Sequence, residues 1–178
     1  MKFSVRRVAL DAMLIAMFVV LHQFVSINLP FISITTDSLP VLVAAVLLGP
    51  ADGFFVGLLG RLLCEMFSQY GLTVTSPLWI LPAALRGLAV GFYAKHHAFS
   101  LSRKQLIFIT VFTAIGVTAL NSLVMAVDAR IFGYEAVILP LLVPRIVSGV
   151  ITAVAFSFLL PPLIAALKKN LHLRSSKQ

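Results

Sequence analysis

Charge is scarce in this chain of 178 residues: only 11% are Asp, Glu, Lys or Arg, and the acids number six. A water-soluble domain carries about a quarter charged residues, so the composition, 60% apolar with a mean hydropathy of +1.05, excludes an ordinary soluble globule. Cysteine is nearly absent. The single Cys64 excludes an internal disulfide and a cysteine-based metal cluster. No GxxxxGK[ST] is found, so the chain has no P-loop for ATP hydrolysis. There is no HExxH, and His96 and His97 sit in a basic loop without a carboxylate, which argues against a metal site. Ser148-Gly149 is preceded by Ile146 where a GxSG nucleophile motif would need glycine, and the later apolar runs hold no histidine. Nothing in the sequence resembles an enzyme, and no cofactor is called for.

What is present is a series of apolar runs. Six spans of about 20 residues use most of the length, leaving no room for a separate soluble domain. The runs cover roughly residues 5–27, 39–49, 53–69, 78–95, 103–127 and 140–167. The first follows MKFSVRR but is not closed by a small-x-small cleavage site, and is read as a membrane helix rather than a leader. The second is short for a full crossing and follows the turn-rich loop NLPFISITTDS. In the Gly49-Pro50-Ala51-Asp52-Gly53 turn, Asp52 is placed to cap the third helix. Pro82 is expected to kink the fourth. The expectation is an all-α, six-helix membrane domain over residues 1–170 with a polar, frayed tail over 171–178, the polar stretch itself beginning at Lys168.

The net charge of +8 would suggest nucleic acid in a soluble protein, but the positive residues cluster at the edges of apolar runs. Lys2, Arg6, Arg7, Lys95, Arg103, Lys104, Lys168, Lys169, Arg174 and Lys177 make ten of the fourteen, and six crossings put them all on one side. The opposite loops hold Asp37, Asp128 and Glu135 against Arg130 alone. By the positive-inside rule both termini are cytoplasmic.

Charges within the spans are Arg61, Glu65, Arg86 and Arg145. Each costs about 2.5–3.5 kcal/mol at membrane depth on the insertion scale, so each must face protein, water or a ligand. Arg61 and Glu65 stand four apart on one helix face and can neutralise each other. Arg86 and Arg145 have no acid at helical spacing. Polar groups accumulate toward the outer side: His22 and Gln23, then Tyr70, Thr73, Thr75, Ser76 and Trp79, then Asn121 and Ser122. Guanidinium for a carboxylate, amide and hydroxyls for amides, and an aromatic wall suit a small polar ligand. The alternative is that the arginines bond helix carbonyls, Asn121 glues helices, and Trp79 and Tyr70 are interfacial. Small residues recur at Ala12/Ala16, Gly53/Gly57 and Gly87/Gly91, a spacing that lets helices approach closely.

The stretches SLPVLVAAVLLGPADGFFVGLLG, YGLTVTSPLWILPAALRGLAVGFYAKH and ALNSLVMAVDARIFGY followed by PRIVSG resemble the substrate-binding S components of energy-coupling factor (ECF) transporters along nearly the whole chain. The resemblance implies a bacterial plasma-membrane protein that holds a vitamin in its outer half. It implies docking of the first helix on a transmembrane coupling subunit, through Ala12 and Ala16 here, and two cytoplasmic ATPase subunits. YGLTVTSPLWILPAALRG looks most like pantothenate-type and folate-type members, and two arginines suit an anion, with pantothenate ahead of folate. The residues read from the polar layout as substrate contacts are Arg86, Asn121, Trp79, Arg145, Tyr70, Thr75 and His22, with the loop around Asn28 to Asp37 as lid. Two other readings stand beside it: an ion-coupled secondary transporter working alone through Glu65 or Asp11, and a structural membrane subunit that binds no small molecule.

Overall fold

The computed structural model describes residues 5–25, 27–28, 33–34, 36–68, 71–133 and 138–171. The six apolar runs are six helices: α1 (Val5–Phe24), α2 (Ser38–Leu47), α3 (Pro50–Met66), α4 (Ser76–His96), α5 (Arg103–Phe132) and α6 (Ile138–Leu171). Between α1 and α2 a two-residue antiparallel pair forms, β1 (Ile27–Asn28) with β2 (Ser33–Ile34), a small departure from an all-helical chain. Among the described residues three helices, over Ser76–His96, Arg103–Phe132 and Leu142–Lys169, are long and apolar enough to cross a membrane.

Several boundaries move from those expected. Helix α3 begins at Pro50, whose fixed φ and missing N–H suit a first turn, so Asp52 lies inside the helix rather than capping it. The capping position falls to Gly49 at φ 122°, a conformation that disfavours any side chain. Helix α5 runs on to Phe132 and stops at Gly133 in the left-handed region, carrying Asp128 and Arg130 on the helix instead of in a loop. Its start is a capping box in which Ser102 and Gln105 satisfy each other's backbone N–H. Helix α6 continues through Lys168 and Lys169 to Leu171, so the first residues of the supposed tail are helical.

The helices alternate in direction. At one end, which carries the start of α1 and the end of α6, Arg7 forms an ion pair with Asp52 and donates to the Leu48 carbonyl at 2.7 Å. Phe99, just after α4, packs at Gly49, and its carbonyl accepts from Lys168 Nζ at 2.6 Å. This terminal end therefore ties together α1, the α2–α3 turn, the α4–α5 turn and α6. Arg7 is 32% exposed and the Asp52 side chain 7%, so the two ends of the pair are not equivalent. Arg7→Met leaves a buried carboxylate without its cation and is expected to cost about 2–3 kcal/mol, against about 1 for Asp52→Asn, whose stranded arginine can reach water. Thermal melts of the two variants in detergent check the order.

Helix α3 lies flush on α4 because glycines remove the side chains between them. A Cβ on Gly57 would sit 2.5 Å from the Ala83 carbonyl oxygen, and one on Gly87 would collide with the Gly53 carbonyl. Helix α1 packs on α2 and α3, while α2, α4, α5 and α6 form a ring in which each helix touches the next. The diagonal pair α4 and α6 stays apart: their Cα atoms nowhere come within 8 Å among the described residues. Toward the terminal end the ring is filled by an apolar core of Leu42, Val43, Val46, Val90, Leu106, Ile109, Phe156, Leu160 and Ile164.

Candidate functional site in the far half of the ring

Beyond that core, toward the far end of the bundle, the interior of the ring turns polar. Arg86 marks the boundary. It stands one turn before core residue Val90 on α4, is 4% exposed, and holds its Cζ 5.7 Å from the centroid of the Phe156 ring on α6. Its Nε and Nη2 are buried and have no hydrogen-bond partner. A helix carbonyl bonded to Arg86, as the helix-glue reading requires, is not found among the described residues.

Two turns nearer the far end, on the same face of α4, is Trp79. The Arg145 Cζ of α6 lies 5.4 Å from its ring centroid, and Arg145 Nη1 points at Met125 Sδ of α5 at 2.8 Å. A guanidinium over an indole face is attracted by the ring quadrupole. Two arginine–aromatic contacts thus cross the gap between α4 and α6 at two depths, one with its arginine on α4 and the other with its arginine on α6. Asn121 stands one turn before Met125 on α5 and is half-buried. Gly149 lets α6 approach α5 here, since a Cβ on it would meet Thr118 Oγ1 at 2.6 Å.

The far end is closed by a hydroxyl and carboxylate network. Thr75, 1% exposed, donates to Asp128 Oδ1 across to α5. Thr73 Oγ1 lies 3.1 Å from Thr75 Oγ1 and 3.2 Å from Ser76 Oγ, and Ser76 Oγ accepts from the Thr73 N–H at 2.9 Å. On the α1–α2 side His22 Nδ1 is 2.7 Å from Asp37 Oδ2, with Phe18 stacked on the His22 ring. Strand β2, which precedes Asp37, lies against α6 and so bridges the ring's far end.

Of the expected substrate contacts, then, Trp79, Arg86 and Arg145 meet across the ring, and Asn121 stands half-buried one turn from Met125 on α5. Thr75 sits in the network at its end, His22 is engaged by Asp37, and Tyr70 lies outside the described residues. The Arg61–Glu65 pair forms at 2.7 Å, as its spacing predicted. Ala12 and Ala16 are exposed on α1. Four participants carried no local signal. Asp37 and Asp128 read only as loop charges, and Met125 and Phe156 as ordinary apolar residues. The apolar outer faces of α5 and α6, including Phe108, Phe112, Ile115, Val150 and Phe158, are left exposed as lipid-facing surface.

Six alternating helices, three of them long and apolar enough to cross a membrane, with a polar interior confined to one half, make a membrane-embedded helical bundle with an interior polar site. The sequence matches the family described as "ECF-type riboflavin transporter, S component" over residues 2–169, and the chain belongs to that family. It is a membrane protein, and the family it belongs to is one of transporter S components. It is 32% identical over 115 residues to a UPF0397 protein of Streptococcus agalactiae serotype Ia, covering 61% of this chain and 60% of that one. A UPF0397 protein of Streptococcus thermophilus is 31% identical over 103 residues, covering 56% and 54%. The chain thus spans about three fifths of the length of the first curated relatives it matches. Among solved structures, FolT bound with folic acid superimposes with a TM-score of 0.69 at 20% identity, covering 92% of this chain and 95% of that one. The S component of a bacterial ECF transporter gives 0.63 at 24%, covering 92% and 98%. These likenesses establish the fold.

Proposed function

We propose that the protein is the vitamin-binding subunit of an ATP-driven ECF importer, taking its ligand into the far half of the α2, α4, α5 and α6 ring. The observation that carries this reading is the division of the ring into an apolar terminal half and a polar far half, with a buried arginine at the boundary. A purely structural subunit would gain nothing from that cost. The bundle as a whole spans the membrane with its terminal end cytoplasmic, because Lys95, Arg103, Lys104 and Lys169 are exposed there while Asp37 and Asp128 are at the far end; α2, of ten residues, is too short to cross alone. Ligand enters from outside, Trp79, Arg86, Asn121 and Arg145 hold it, and the segment from Asn28 to Asp37, of which residues 29–32 and 35 lie outside the described residues, acts as lid. Release inside requires that the bound state lose affinity when a coupling subunit and two ATPases act, since only differential affinity can drive transport. The exposed Ala12 and Ala16 are the docking face for that coupling subunit.

The ligand is a water-soluble vitamin. Riboflavin is a candidate from the family's description, while the two site arginines suit pantothenate, and then folate. Titration of each vitamin into the detergent-purified protein, read by quenching of Trp79 and by isothermal calorimetry, tests the reading. Saturable binding of one vitamin is expected. Silence from all of them in both assays sinks the vitamin-binding role in favour of a structural subunit. Uptake by cells carrying this chain without partners, abolished by an uncoupler, would instead establish a stand-alone ion-coupled transporter.

A further inference from the structure

We infer that Arg86 reads the ligand through one edge of its guanidinium, and that the deepest part of the ligand is a group presenting two acceptor atoms side by side. This rests on the vitamin-binding reading above and assigns the chemistry at its floor. Nε and Nη2 are the two nitrogens whose N–H bonds point the same way from the guanidinium plane's side, the fork that meets carboxylates bidentately. They are the two atoms of Arg86 that are buried without a partner. One face of the cation has the Phe156 ring centroid at 5.7 Å from Cζ, and the unpartnered edge is the surface left with donors to offer.

The Asp37 carboxylate is engaged by His22 at 2.7 Å and by Ser38 Oγ at 3.4 Å, and Arg86 makes no ion pair among the described residues. Thr36, next to Asp37, also keeps a buried hydroxyl without a partner. Buried donors left without acceptors are costly, so a fork maintained in this state is matched to a ligand that supplies the acceptors. A carboxylate does so, and so does the carbonyl and ring-nitrogen edge of a heterocycle. The ligand is also two-ended: Trp79 precedes Arg86 by two helical turns, about 10 Å along the axis, so the portion away from the fork lies under the Trp79–Arg145 contact.

The test is calorimetry on the full chain in detergent with riboflavin, pantothenate and folate, against Arg86→Lys and Arg86→Gln. Lysine keeps the charge and loses the fork, so the vitamin that binds should bind about tenfold or more weakly to Arg86→Lys. If that vitamin is a carboxylate, its alcohol analogue should lose a similar factor on wild type and lose little more on the variant, as a double-mutant cycle requires. If it is riboflavin, lumiflavin, which keeps the ring edge and lacks the ribityl chain, should remain as sensitive to Arg86→Lys. Affinity for Arg86→Lys within about twofold of wild type, with its melt unchanged, overturns the fork while leaving vitamin binding intact. If the lysine variant fails to fold, Arg86→Gln is scored by the same criterion. Absence of binding by wild type to any vitamin overturns the underlying reading and the fork with it.

Discussion

Gly87→Leu is expected to eliminate the folded protein, and Gly87→Ala to lower its melting temperature, although alanine is the better helix former. Replacing glycine by alanine within a helix gains about 1 kcal/mol of propensity. Against that, the new Cβ would be driven into the Gly53 carbonyl and to 2.9 Å from Phe54 N, both main-chain atoms. Overpacking against side chains costs about 1–3 kcal/mol, and a rigid backbone has fewer ways to yield, so the steric loss wins. The neighbours repeat the arrangement, Gly91 against Pro50 and Gly57 against Ala83, so α3 cannot relieve the clash by sliding. Gly116→Ala is the control: nothing lies within 4 Å of its Cβ position, and the variant should be neutral or stabilised by up to about 1 kcal/mol. Size-exclusion profiles and thermal melts in detergent distinguish the two. Equal melts for Gly87→Ala and Gly116→Ala would mean that the α3–α4 contact is looser than described.

The second large effect separates stability from binding. Arg86→Met should lower vitamin affinity by about two orders of magnitude or more, the loss expected when hydrogen bonds to a charged group disappear. The same variant should leave the ligand-free protein as stable as wild type or more so, by about 1–3 kcal/mol, because a buried cation with two unsatisfied donors is replaced by an apolar chain that packs on Phe156. Asp37 is not stranded by the change, since His22 stays beside it. Ligand added in excess should then raise the melting temperature of wild type but not of the variant. A ligand-free melt several degrees below wild type would show instead that the Arg86–Phe156 contact is a structural staple between α4 and α6, and the binding role would fall. These outcomes also bear on how the site is maintained, for a stability cost at one buried residue is kept only where function uses it.

Much of the scaffold could be read from the chain alone, for a physical reason. Hydropathy over a helix-length window, the i,i+4 spacing of Arg61 and Glu65, and the four-residue spacing of Gly53/Gly57 and Gly87/Gly91 are local properties. Each survives whatever the rest of the chain does. Helix ends were less legible. Asp52 falls inside α3 because the helix begins at Pro50, and its carboxylate is taken by Arg7, 45 positions away, a partner no local pattern names. Whether Asp128 belonged to a loop depended on Thr75, 53 positions earlier, holding it at the end of α5.

The sequence by itself determined that this is a membrane bundle, that its positive charges gather at the ends of alternate spans, and that Arg86 and Arg145 needed partners no neighbour along their helices could supply. Only the tertiary structure decided what those partners are. Arg145 meets Trp79 and Met125, and Arg86 meets the Phe156 ring while its fork stays without an acceptor. That outcome follows from which helices are neighbours. Glycine contacts lock α4 onto α3, and the ring then sets α6 diagonally across from α4, at a distance that long side chains can span and backbones cannot.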